Sequence, residues 1–97
     1  MGETPLCVAI QAGDVRMVEA LIAAGADVNV RIAFEETPLH VAADYGQLAI
    51  AQSLLQHGAD PTARHAQGRT PAEDASHHGF TELASLLAGA ERSHQAG

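Results

Sequence analysis

The sequence predicts an all-α protein, a solenoid of stacked helix–turn–helix units joined by short β-hairpin-like loops. Three observations predict this fold. The pair Thr-Pro occurs three times at a constant spacing of 33 residues, beginning at Thr4, Thr37 and Thr70. Gly46 in the middle copy has a glycine counterpart 33 residues to either side. Two apolar patterns with helical spacing follow most of the Thr-Pro pairs. A fixed period of this length is typical of stacked repeats and not of one closed core.

The first helix of each unit is predicted to begin at its Thr-Pro pair. In the middle copy Thr37 is a good N-cap, and Pro38 takes the first helical position, where its missing N–H costs nothing. A short, mostly apolar helix follows and ends at Gly46. In the third copy Glu73 occupies the third helical position, so Thr70 and Glu73 are predicted to form a reciprocal capping box.

The second helix of the middle copy is predicted from apolar residues at helical offsets over residues 48–55. Gly58 then falls where a left-handed C-terminal cap is expected. Residues 59–69 contain Pro61 and Gly68 and are too short for another helix, so they are predicted to form a loop or hairpin finger. Helices this short are not stable alone, so each pair must bury an apolar face against the neighbouring unit.

These motifs resemble those of the ankyrin repeat family. The run Thr37-Pro38-Leu39-His40-Val41-Ala42 matches the T-P-L-H-x-A signature of that family, which also has a 33-residue period. The resemblance extends over roughly residues 2–90 in three copies. It implies a domain at 1–90 with repeats at about 2–33, 34–66 and 67–90. The short polar tail at 91–97 is expected to be disordered.

The copies depart from the family pattern at two positions. The histidine of the signature, His40, is replaced by Cys7 in the first copy and by Glu73 in the third. Glycine stands two residues before Thr-Pro in the outer copies, but Glu35 takes that place in the middle one. The loop at residues 30–36 therefore lacks the residue that tolerates a positive φ.

Composition excludes several classes of function. The net charge of −7, the absence of lysine and five scattered arginines argue against binding to nucleic acid phosphates. No apolar run is long enough to cross a bilayer, and no secretory signal pattern is present. The single cysteine, Cys7, forms no intrachain disulfide and fits a reducing compartment. An intracellular, cytoplasmic protein is expected.

No residue pattern predicts catalysis, a cofactor or a metal site, so the protein is not expected to be an enzyme. His77 and His78 are adjacent and would point about 100° apart on a helix, which is unsuited to sharing one ion. The other histidines lack short ligand spacings and supporting cysteines. The family resemblance implies that His40 hydrogen-bonds the threonine hydroxyl and the backbone of an adjacent loop.

The resemblance also implies a concave side, formed by the fingers and the first helices, that binds another protein. Phe34 and Tyr45 are the leading candidates because binding energy concentrates in aromatic and arginine side chains. For Phe34, packing against Ile32 in the finger stays an equally open alternative. A mildly basic or mixed-charge partner would suit the acidic chain. The candidate partner-binding residues are Arg31, Phe34, Glu36, Asp44, Tyr45, His57, Arg69, His77 and His78.

The two ends of the repeat array differ, and this keeps a second function open. The third copy replaces apolar residues by polar ones, which suits a terminal cap facing water. The first copy has no comparable set of polar residues, and Val8 and Met17 are expected to be half covered. Truncation or weak self-capping is preferred to a dimer through this face, and a monomer is expected. The alternative is a structural or oligomerisation segment of a larger ankyrin-repeat protein.

Overall fold

The computed structural model describes residues 4–96, which form three successive helix pairs. The described part of the chain contains no strand, and a short 3-10 turn at Ala33–Glu35 precedes the second pair. The predicted all-α repeat fold is confirmed. The helices are α1 (Pro5–Ala12), α2 (Val15–Ala23), α3 (Pro38–Asp44), α4 (Leu48–Gln56), α5 (Pro71–His77) and α6 (Thr81–Ala96).

The first helix of each pair begins at its Thr-Pro pair, as predicted. In all three copies the threonine hydroxyl oxygen accepts a hydrogen bond from the backbone N–H three residues later. The predicted capping box is present in the third copy, where Glu73 Oε1 accepts from the Thr70 N–H at 2.9 Å. His40 Nδ1 plays the same part for Thr37 at 3.1 Å. Such caps stabilise a helix by about 1 kcal/mol each.

The six helices form two layers. The first helices lie side by side with α3 between α1 and α5, and the second helices do the same with α4 between α2 and α6. The largest fully buried side chains are mainly aliphatic, as expected for a chain with 3% aromatic residues. They include Ile10, Leu39, Ile50, Leu54 and Leu87. The middle pair therefore packs against a neighbour on each side.

The N-terminal side of the first pair is partly uncovered. Val18 is the buried residue of α2, whereas Val8 on α1 and Met17 on α2 each expose 49% of their surface. In the other two pairs the corresponding side is packed against the preceding unit. The first copy therefore presents apolar side chains to solvent at the position where a stacked array has an inter-repeat contact.

The C-terminal end differs from the expected disordered tail, because α6 continues as a helix to Ala96. Glu91, Arg92 and Gln95 are good helix formers, and neither proline nor glycine interrupts the helix beyond Gly89. His94 Nε2 also lies 3.6 Å from Asp60 Oδ1, which ties the last turns to the second copy. Gly97 lies outside the described residues. None of the described helices combines the length and apolarity needed to cross a bilayer.

The turn after α3 packs closely against the third pair. Gly46 has φ +66°, and a Cβ atom at this position would lie 2.9 Å from Cε1 and 3.0 Å from Cζ of Phe80. Gly58, after α4, has φ +92°, but a Cβ atom there would meet nothing within 4 Å. Both glycines provide a left-handed backbone, and only Gly46 also provides room for a neighbouring ring.

We expect Gly46→Ala to destabilise the protein more than the matched variant Gly58→Ala. Both substitutions place a side chain on a left-handed backbone, at roughly 1–2 kcal/mol. Gly46→Ala additionally forces the Phe80 ring to move, which adds about 1–3 kcal/mol. Urea unfolding followed by circular dichroism measures both losses. Equal losses in the two variants would show that the Phe80 contact does not constrain the turn.

Candidate partner-binding surface

Two fingers, at residues 30–36 and 63–69, connect the helix pairs and lie edge to edge. The Ala66 N–H donates to the Phe34 carbonyl oxygen at 2.8 Å. Arg31 Nη1 donates to the Arg64 carbonyl oxygen, also at 2.8 Å. Because these bonds join residues about one repeat apart, each finger fixes the position of the other.

The tip of the first finger has an unusual backbone. Phe34 and Glu35 both have φ +60°, whereas the second finger has Gly68 at the position equivalent to Glu35. The sequence correctly indicated that a positive-φ position here lacks its glycine. Left-handed geometry costs roughly 1–2 kcal/mol per non-glycine residue. In this conformation the Phe34 side chain is 78% exposed and therefore projects into solvent.

A shallow cavity of about 190 Å³ lies between the two fingers. Its lining combines an aromatic ring, a carboxyl group, an imidazole and an amide, from Phe34, Glu36, His65 and Gln67. Small-molecule sites usually enclose about 300–1,000 Å³. The cavity is therefore of a size for one side chain and not for a bulky cofactor.

Carboxyl groups dominate the electrostatics beside this cavity. Burial, together with the neighbouring carboxylates of Asp44 and Asp74, raises the pKa of Glu36 above its usual value. The Glu36 and Asp44 side chains are close enough to share a hydrogen bond. Asp44 Oδ1 also lies 3.2 Å from His78 Nε2 on the next pair. The site is acidic and partly desolvated.

Several of the candidate residues chosen from the sequence lie next to one another. Phe34 and Glu36 line the cavity, Glu36 reaches Asp44, and Asp44 precedes Tyr45 at the end of α3. Asp44 also pairs with His78, whose ring lies 5.5 Å from that of His77. We call this set the inner surface. It consists of Phe34, Glu36, Asp44, Tyr45, His77 and His78.

Three other candidates use their polar groups within the protein. Arg31 Nη1 donates to two backbone carbonyl oxygens in the fingers. Arg69 Nε donates to Asp74 Oδ1 at 2.9 Å. His57 lies beyond the last turn of α4 and holds the Ser53 carbonyl oxygen at 2.8 Å, at the opposite end of the helix pair from Asp44. Of these contacts, only the bond from Arg31 to the Arg64 carbonyl oxygen joins residues more than five positions apart.

A buried polar cluster behind the fingers was missed by the sequence analysis. His40 Nε2 donates to the Arg69 carbonyl oxygen at 2.9 Å, and the Thr37 hydroxyl lies 2.9 Å from His40 Nδ1, which confirms the role expected for His40. Beside it, His65 Nε2 lies 3.1 Å from Asp74 Oδ1. The two rings are 4.9 Å apart, centroid to centroid.

A signal for this cluster exists in the sequence. His65 and Asp74 occupy the positions that are Ile32 and Val41 one repeat earlier. Two apolar positions therefore both become polar one repeat period later, which indicates that the new side chains are partners. Comparing the copies position by position, and not only their motifs, would have found them.

His40, His65 and Asp74 place three ligand atoms within 4.8 Å of one another, so the cluster must be considered as a metal site. In each histidine, Nδ1 accepts a backbone N–H, from Thr37 at 3.1 Å and from Gln67 at 3.0 Å. Each Nε2 therefore carries the proton and donates it. A metal ion would have to displace these bonds beside a guanidinium group, so the arrangement fits a structural clasp better than a metal centre.

We expect the burial of His40 to make folding sensitive to acid. Burial lowers the pKa of His40 from its ordinary 6.5. Between the lowered pKa and 6.5, the unfolded chain is therefore protonated at His40 and the folded protein is not. Stability from this group is complete above pH 6.5 and is lost as the pH falls towards the lowered value. Replacing His40 by glutamine should cost about 1–3 kcal/mol at pH 7.5, because buried partners are left unsatisfied.

The measurement is the urea midpoint at pH 7.5 and at pH 5. His40→Gln should lose less additional stability on acidification than the unmodified chain, whereas the control His57→Gln, at an exposed position, should behave like the unmodified chain. An unchanged acid sensitivity in His40→Gln would contradict the assignment.

Comparison with known families agrees with the repeat architecture described above. A model of ankyrin repeats matches the chain in three copies over residues 6–96. A comparison with curated proteins finds no match. The family match covers most of the chain, from the second residue of α1 to the end of α6, and includes the caps at Thr37-Pro38 and Thr70-Pro71 and the His40 clasp. The chain therefore belongs to the ankyrin repeat family.

Proposed function

We propose that the protein is a binding module that presents the inner surface to another protein. Ankyrin repeats are generally protein–protein interaction modules and are typically non-catalytic. The observation that carries the proposal is the placement of the large rings. Phe34 is 78% exposed and Tyr45 52% exposed, whereas Phe80 is packed against the core. Exposed aromatic side chains on a rigid surface are typical anchors of protein interfaces.

Rigidity of the surface supports this proposal. The Phe34 backbone is held by the neighbouring finger, and Tyr45 directly follows a helix that packs between two others. A preorganised surface loses little conformational entropy on docking, so more of the contact energy is retained as affinity. A standard interface takes about 800 Å² from each partner. The accessible surface of the chain is 5226 Å², so one side of the stack suffices.

The expected partner is a protein that offers basic or mixed charge, and the expected location is the cytoplasm. The net charge of −7 disfavours nucleic acid as the ligand. Cys7 is buried, which fits a reducing compartment. These points follow from composition and burial, and they go beyond what membership of the family implies.

A second function is supported by the N-terminal side of the first pair. Val8 and Met17 are each 49% exposed there, and a nearby cavity is lined mainly by apolar residues, including Leu6, Leu21 and Val30. This side would suit a structural or oligomerisation role within a larger ankyrin-repeat protein. Light scattering that shows a stable dimer, abolished by Met17→Glu, would favour this second function over a monomeric binding module.

We expect Phe34→Ala and Tyr45→Ala to weaken partner binding while leaving the melting temperature nearly unchanged. Truncating an interface anchor costs about 2 kcal/mol or more, which corresponds to a loss of roughly 30-fold in affinity. The partner is first captured from an extract of the native cells and identified by mass spectrometry. Titration calorimetry then gives the affinity of each variant.

Phe80→Ala serves as the control for this comparison. It removes a packed ring, so it should lower the melting temperature through lost packing. If Phe34→Ala and Tyr45→Ala lose stability and affinity in parallel, as expected for Phe80→Ala, the two residues are structural. The proposed surface would then be wrong.

A further inference from the structure

We propose that the cavity between Phe34 and Glu36 receives an arginine side chain of the partner protein. This inference rests on the proposed function and adds the chemistry of the partner at the inner surface. Three features of the described residues support it: the composition of the cavity wall, the lack of an ion pair at Glu36, and the hydrogen bonds that already hold the nearby basic groups.

The composition of the cavity matches a guanidinium group. Phe34 offers an exposed ring and Glu36 a carboxylate around a space of about 190 Å³, whereas the amide oxygen of Gln67 already accepts a hydrogen bond from Arg69 Nη2. A guanidinium group is planar, stacks on aromatic faces and presents N–H groups in a fork that fits a carboxylate. A lysine ammonium group is compact and strongly hydrated, so it stacks on the ring less well and does not form the two parallel hydrogen bonds to a carboxylate.

Charge at the cavity also favours a cation. Glu36 is partly buried and lies beside Asp44, so two carboxyl groups share a poorly solvated region. Within the described part of the chain, Glu36 forms no ion pair with an arginine or a histidine. A positive group entering from a partner would relieve the repulsion between the two carboxylates.

The basic groups of the fingers are already engaged. Arg31 donates to two backbone carbonyl oxygens, and Arg64 donates to the Gly68 carbonyl oxygen at 2.6 Å and lies 3.4 Å from Glu73. Arg69 is bonded to Asp74. Arg69 Nη2 also donates to Oε1 of the lining residue Gln67 at 2.9 Å, but none of these three arginines forms an ion pair with Glu36.

His65 is the remaining lining group, and it does not compete for the carboxylate. Its Nε2 is bonded to Asp74, and its Nδ1 accepts the Gln67 N–H. Both ring nitrogens are therefore used on the buried side of the cavity. Neither ring nitrogen of His65 therefore forms a hydrogen bond with the Glu36 carboxyl group.

The test uses the full chain, labelled with ¹⁵N, and three short peptides. The first is acetyl-Gly-Gly-Arg-Gly-Gly-amide. The second replaces arginine by citrulline, which has almost the same shape and no charge, and the third replaces arginine by lysine. We expect the arginine peptide to shift the amide resonances of Phe34, Glu36 and Gln67 with a Kd on the order of 1 mM. The citrulline and lysine peptides should bind at least several-fold more weakly.

A matched pair of variants tests the role of the carboxylate. Glu36→Gln keeps the shape of the side chain and removes its charge, so binding of the arginine peptide should weaken about tenfold. Glu19→Gln makes the same change in net charge at an exposed position on α2 and should leave binding unchanged. The ¹⁵N spectrum of each variant reports directly whether its fold is intact.

Three results would overturn the proposal. They are the absence of any saturable shift at the cavity up to about 20 mM peptide, equal binding of the arginine and citrulline peptides, and equal binding of the arginine and lysine peptides. Equal weakening by Glu36→Gln and Glu19→Gln would also reject it, since binding would then reflect overall charge.

Failure of this inference is distinguishable from failure of the proposed function. If the captured partner is lost on Phe34→Ala but binds Glu36→Gln with unchanged affinity, the inner surface stands and the arginine assignment is wrong. If neither variant affects the partner, both proposals are wrong.

Discussion

Burial of helix flanks between neighbouring units is the interaction on which the rest of this structure depends. The first five helices are seven to nine residues long, too short to be stable in water by themselves. They persist because α3 and α4 are each enclosed by a helix on either side, with Leu39, Ile50 and Leu54 removed from solvent. This packing of the helices sets the positions of the fingers that connect them. The geometry of the inner surface is therefore a property of the stack and not of any single loop.

The buried polar cluster connects this packing to the inner surface. His40 fastens the start of α3 to the second finger through the Arg69 carbonyl oxygen. Arg69 and His65 in turn converge on the carboxylate of Asp74. A hydrophobic pair in the same place would hold the layers together but would not orient the finger backbone. Hydrogen bonds have directional geometry, so the cluster fixes the His65 side of the cavity as well as the start of the third copy.

Features governed by local chemistry were predictable from the sequence. The Thr-Pro starts, the capping box at Thr70 and the clasp at His40 depend on residues three positions apart and on one recurring motif. The polar cluster and the engagement of Arg31 were not predictable in this way, because they join residues from different copies. The helical end of α6 was missed because the tail is polar, although its residues are good helix formers. At the candidate site, the sequence identified Phe34 and Tyr45 as rings to examine, but the cavity depends on how the two fingers meet.

The left-handed backbone at Phe34 and Glu35 affects how the sequence can be changed to raise the stability of the protein. Glycine at position 35 would relax the backbone and raise thermal robustness, but it would also widen the range of conformations of the loop. A substitution chosen for thermal stability alone would therefore leave the tip of the first finger less ordered. Substitutions intended to raise thermal stability should therefore be made first on the second helices, α2, α4 and α6, and the tip of the first finger should be left unchanged.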